Sequence, residues 1–298
     1  MSKRALYTVA ILLVWASTLG WHVKRLYFRP ASDLLAEAAR TIPPGTAYYA
    51  VFRGERRIGW AQTDVDTLPN ATGFTLSDRF VLREPLLPGF EPMRFQVDAT
   101  LGPTFTLQDF QVAAEGVPGI RQVRGEVHGD SVLELGIRGD GPARHQEIVL
   151  SEPIVVATAW TLRFAAEREV EPGAEFELPI YDPLTGTHRT MHMTVLERRT
   201  RTFPDSVTAV DGRWITARED TVEAWHVEHD MSGITLRSWV DEDGRVFSAQ
   251  VPGEIRLERT AFEFAYFGEE VPERVTLPAG QARAADSEDE EEDDGTDR

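Results

Sequence analysis

At 298 residues with 42% hydrophobic side chains, the chain can bury one large core or two small ones, and it is not a disordered polymer. A formal charge of -18 argues against electrostatic capture of nucleic acid, which needs clustered Lys and Arg to neutralise phosphates. The absence of cysteine removes thiolate nucleophiles, disulfides, Cys-ligated zinc and a lipidated Cys.

Residues 1–30 read as an N-terminal membrane anchor. Residues 5–21, "ALYTVAILLVWASTLGW", follow the basic Lys3 and Arg4 and carry no charge. As a helix they reach the lower limit of roughly 17 residues for crossing a bilayer. Trp21 and Tyr27 suit an interface, and Lys24, Arg25 and Arg29 resemble a stop at the membrane surface. A cleaved signal peptide shares the basic start and apolar middle. Ala16, Thr18 and Gly20 give no clean A-x-A site, so a retained anchor with the domain outside is the expectation.

Residues 31–45 read as a short helix and linker: Ser32 and Asp33 can cap a helix through Arg40 that ends at Pro43-Pro44. From there residues 46–278 form a β-rich domain. "YYAVFRGERRIGWAQTDV" predicts two strands around Gly54-Glu55, and the same pattern recurs around Gly129-Asp130, Asp211-Gly212 and Asp243-Gly244. About a dozen antiparallel strands of ordinary length are expected, because the links are too short for crossover helices. Asp241, Glu242 and Asp243 lack the spacing of a calcium loop and read as turn residues facing water. Residues 153–168 break the alternation, with apolar side chains nearly all round, and predict one buried helix. The expected fold is mainly β: a large curved antiparallel sheet, a half-barrel or open barrel, with one buried helix and an N-terminal transmembrane helix. Residues 279–298 end in "DSEDEEEDDGTDR", nine acids among thirteen residues, and predict a disordered acidic tail.

"YYAVFRGERRIGWAQTDV", and "SWVDEDGRVFSAQV" followed by "LERTAFEFA", resemble the opening and closing elements of bacterial exported β-rich domains of unknown function. Among these are the β domains that precede transglutaminase-like catalytic domains, and the overall shape is similar to lipoprotein-carrier half-barrels. The resemblance covers roughly residues 46–268. It implies an extracytoplasmic accessory domain at a bacterial inner membrane, without the enzyme, because the catalytic Cys of the transglutaminase-like part is absent.

Two candidate sites follow. An apolar pocket for a lipid-like ligand or a segment of an envelope protein would use Trp160 and Phe164 with Leu86, Leu87 and Phe90 of the loop "REPLLPGFEPM". Alternatively, His188, His192, His226 and Glu228 lie on strand faces that could hold zinc for a metal-dependent hydrolase if the strands were neighbours. No G-x-S-x-G elbow, phosphate loop or dinucleotide fingerprint is present. The expected function is therefore membrane-anchored, non-catalytic binding with no cofactor. The alternatives are that hydrolase or a purely structural assembly domain whose concave face its own helix fills.

Overall fold

In the computed structural model the described residues are 30–85, 91–116, 121–129, 131–167, 170–183, 185–231, 234–251 and 253–271, with Trp15 and Thr18. Apart from those two, the expected anchor at residues 5–21 lies outside them, as does the acidic tail. Among the described residues no helix is long and apolar enough to cross a membrane.

Helix α1 (Ala31–Ala39) matches the expected position, but Pro30 takes the N-cap and no side chain caps it. Seven antiparallel hairpin steps then run through β1 (Gly45–Arg53), β2 (Arg56–Thr67), β3 (Phe74–Leu82), β4 (Met93–Leu101), β5 (Leu107–Glu115), β6 (Gln122–His128), β7 (Val132–Arg138) and β8 (Arg144–Val149). After β9 (Val155–Val156) and α2 (Trp160–Ala165), a second run comprises β10 (Glu175–Asp182), β11 (Thr187–Val210), β12 (Arg213–Met231), β13 (Ile234–Asp241), β14 (Val246–Val251) and β15 (Ile255–Thr260). Helix α3 (Phe262–Tyr266) follows. All fifteen strands form one sheet, in which β15 pairs with β1 at the centre and β8 and β9 are the two edges. Among the described residues only β9 and β10 pair in parallel.

Chain length forces this sheet to curl. Laid flat, fifteen strands about 4.8 Å apart would span ~65 Å. Yet the edge strands are joined by residues 150–154, a link that reaches no more than ~20 Å. The two arms therefore face each other across a shared core in which Phe110 of β5 meets Tyr181 of β10, ring centroids 5.4 Å apart. The Leu107 N–H donates to Ile154 O at 2.7 Å, joining the start of β5 to the segment just before β9. Strands β6 to β8 continue beyond that junction, so the sheet is rolled and open.

Two differences from the sequence reading have physical causes. Strands of ordinary length were expected throughout, but β11 has 24 residues and β12 has 19. Register shifts at Val195/Glu197 and Pro204/Ser206 reset the alternation, so one bulged strand reads as two. The expected helix over 153–168 contains only six α-helical residues, preceded by a 3-10 turn at Ala157–Ala159. Its β-branched start, Val155–Val156, pairs with Ile180 and Tyr181 instead.

The short α2 nevertheless plugs the roll. Its fit depends on Gly244 in the β13–β14 turn, at φ 74°, where an added Cβ would lie 2.9 Å from both Leu162 Cα and Thr161 O. Gly244→Ala should therefore cost about 1–3 kcal/mol, combining positive-φ strain with overpacking. A urea unfolding midpoint unchanged from the parent would contradict that packing.

Candidate functional site

Alternation along β3 places Phe74, Leu76, Asp78, Phe80 and Leu82 on the face that lines the roll, so an acid interrupts an apolar column. The same happens on β15, where Arg259 follows Ile255 and Leu257. Register pairs Tyr49 with Arg259 and Thr63 with Asp78. Tyr49 pairs with Ala61, two residues from Thr63, and Thr63 bonds its side chain, so Arg259, Tyr49, Thr63 and Asp78 form a diagonal polar row across the inner face of β15, β1, β2 and β3. It divides the interior into the main core and a second apolar cluster built on Ala47, Tyr49, Val51, Ile58, Ala61 and Leu82.

Asp78 is the unusual member. Thr63 Oγ1 donates to its Oδ1 at 2.6 Å, while Oδ2 is sealed from solvent and meets no donor among the described residues. The Thr158 hydroxyl of the 3-10 turn is also buried and acts on the Asp78 carboxyl without closing a full hydrogen bond. Burial pushes the Asp78 carboxyl up from 3.8 to about 6; Thr63 and Thr158 pull it down, and Asp64 and Asp98 push it further up. It gains a proton, and with it a donor, as pH falls through about 6. Burial also raises the Tyr49 phenol, so it stays protonated.

At the other end of the row, Asp241 is 1% exposed, which corrects the expectation that the Asp241-Glu242-Asp243 acids all face water. Its Oδ2 accepts from Arg259 Nη1 at 2.6 Å, and its Oδ1 accepts the backbone N–H groups of Asp243 and Arg245. Arg259 also lies over the Phe203 ring at 4.1 Å. Burial raises the Asp241 carboxyl, with Arg259 and the Arg245 N–H opposing.

On the second cluster's side of the row the apolar surface is only partly covered: Phe80, Met93, Val246, Ile255 and Leu257 are partly buried. Phe80 and Phe95 stack with centroids 5.0 Å apart. Leu82 pairs with Met93 at the base of the loop that joins β3 to β4. Arg53 Nη2 holds Pro85 O at 3.0 Å there, while Leu86, Leu87 and Phe90 lie outside the described residues.

The residues expected to line a pocket beside α2 serve as core. Trp160 and Phe164 are 6% and 1% exposed and pack on His229, Phe176 and Trp225. Burial beside Trp160 lowers His229 to about 4 and keeps it neutral.

The metal alternative is corrected by register. β11 and β12 are neighbours, but His226 pairs with Glu197, five residues or ~16 Å along the strand from His192. His188 and His192 share a face but stand ~13 Å apart. His226 stacks on Trp239, His192 approaches Glu177 and Glu228 binds Arg237. Among the described residues no group of three potential ligands is placed to hold a metal.

The polar row escaped the sequence reading, although its signal was present: Asp78 and Arg259 occupy apolar positions of alternating strands. No protein-family model matches the chain, and no curated protein matches it. A crystal structure of a DUF1089 family protein from Pseudomonas aeruginosa is similar at TM-score 0.35 and 14% identity, over 65% of this chain and 89% of that one. A likeness of that size carries no argument.

Proposed function

We propose that the domain binds a lipid-like amphiphile without doing chemistry, beside a membrane to which residues 5–21 hold it. The observation that carries this reading is a polar row that borders partly covered apolar surface inside the roll. Stacked Phe80 and Phe95, with Ile255 and Leu257, offer a surface for an acyl chain. Next to them Asp78 Oδ2 and the Thr158 hydroxyl, which act on each other without closing a full hydrogen bond, suit a hydroxyl or carbonyl group of the ligand.

Native mass spectrometry of the full chain extracted from its host membrane tests this. The expected result is an added lipid mass that leaves on denaturation and is lost in Leu257→Glu, which puts a charge on the apolar surface. A bare protein mass for the parent chain would overturn the reading and favour an envelope protein partner or a purely structural domain.

A further inference from the structure

Strand β8 ends the sheet with one side open. Among the described residues it pairs with β7 alone, over six residues without a register shift, and every side chain except Ile148 is exposed, Val149 to 81%. The Leu150 N–H donates to Ser131 O at 2.8 Å, in register with the β7–β8 pairing. Backbone groups alternate in direction along an antiparallel strand, so Arg144, Gln146 and Ile148 also turn theirs toward β7, while His145, Glu147 and Val149 present N–H and C=O outward. Many edges are blunted by a Pro, a bulge or a Lys, and β8 has none of these. Its outer face carries opposite charges two residues apart. Glu147 has the like-charged Glu134 beside it on β7 and nothing on its open side. His145 has the bare Gly136, where an added Cβ would meet only His145 Cε1, at 4.0 Å.

We propose that β8 is the contact edge of a two-fold dimer, pairing antiparallel with β8 of a second copy so that the two sheets become one. A two-fold axis through the strand pair keeps opposed side chains on the same face, so odd-numbered residues meet odd-numbered ones. Centred on Gln146, the pairing sets His145 of each copy opposite Glu147 of the other. These are the residues whose backbone groups point outward, so each such pair closes two backbone hydrogen bonds. Moving the centre by one residue would set His145 against His145, or Glu147 against Glu147, and lose the complementarity. A pairing of six-residue strands buries less than the ~1,200 Å2 of a standard interface, so the dimer is weak and concentration-dependent.

The test uses the full chain in detergent micelles, which has no cysteine of its own. Gln146→Cys puts a thiol on the two-fold axis in a non-hydrogen-bonded pair, where Cα atoms stand about 4.5 Å apart, a separation a disulfide can span. Mild oxidation should link this variant into dimers. Arg144→Cys, on the same face but ~14 Å from its own counterpart, should stay unlinked. Sedimentation equilibrium should show the parent dimerising in the micromolar range. His145→Glu should weaken the dimer about tenfold, and His145→Glu/Glu147→Arg should restore it. Glu147→Pro removes an outward N–H and leaves the β7 pairing intact, so it should abolish the dimer at an unchanged urea midpoint; the charge series decides independently if that variant fails to fold. A parent that is monomeric throughout that range, a dimer indifferent to the charge series or to Glu147→Pro, or equal cross-linking of the Gln146 and Arg144 variants would overturn the inference. So would a Gln146→Cys chain that links only to a different protein in the host membrane, an outcome that assigns the edge to a foreign strand.

Discussion

Asp241→Ala lowers the unfolding free energy by about 3–5 kcal/mol, the range for removing one partner of a buried ion pair. The change strands Arg259, whose side chain is 10% exposed, opposite a small cavity, and removes the acceptor for two backbone N–H groups of the β13–β14 turn. That turn carries Gly244 against α2, so the loss reaches the plug of the roll as well as the polar row. Urea unfolding followed by tryptophan fluorescence measures the change. The double variant Asp241→Leu/Arg259→Met removes both charges and should recover most of the loss, because the larger cost lies in the uncompensated charge. A single-variant loss under ~1 kcal/mol would mean that Arg259 reaches water.

Asp78→Asn moves stability the other way at neutral pH. A carboxyl raised from 3.8 to about 6 binds more protons folded than unfolded, so stability falls as pH rises between these values and is level above them. The stabilising contribution of the protonated group is whole below pH 3.8 and lost as pH passes about 6. Two pH units correspond to about 3 kcal/mol. Asn keeps the shape without the ionisation, so the variant should exceed the parent by up to about 3 kcal/mol at pH 7.5 and match it near pH 4. Unfolding free energies of the two proteins across that range give the difference directly. A constant difference at both ends would place Asp78 in contact with solvent or a cation. In the ligand-bound chain a hydroxyl on Oδ2 should reduce the gap, which ties this result to the proposed function.

Much of the architecture was legible in the sequence because its signals are local. Alternating side chains and Asp-Gly turns located hairpins at Gly54, Gly129, Gly212 and Gly244, all of which adopt positive φ. The first strand was legible for the same reason, and β1 begins at Gly45, just past Pro43-Pro44. The bulged β11 misled because a one-residue shift inverts the pattern without ending the strand. Residues 153–168 misled because an apolar run has no period to separate a helix from a buried strand and turn.

The candidate site divides along the same line. By itself the sequence determined which faces are apolar and, through parity, that Asp78 and Arg259 interrupt them. Only the tertiary structure decided what those interruptions mean. The short link between edges β8 and β9 curls the sheet and turns one face inward, and the pairings of β15 with β1 and of β2 with β3, offset by two residues, bring Arg259, Tyr49, Thr63 and Asp78 into one diagonal row. Register likewise separated His192 from His226, which strand neighbourhood alone had left as possible ligands of one metal. Strand faces follow from residues two apart, whereas burial, ion pairing and cavity walls follow from which strands meet and at what offset, information carried by contacts distant in the chain.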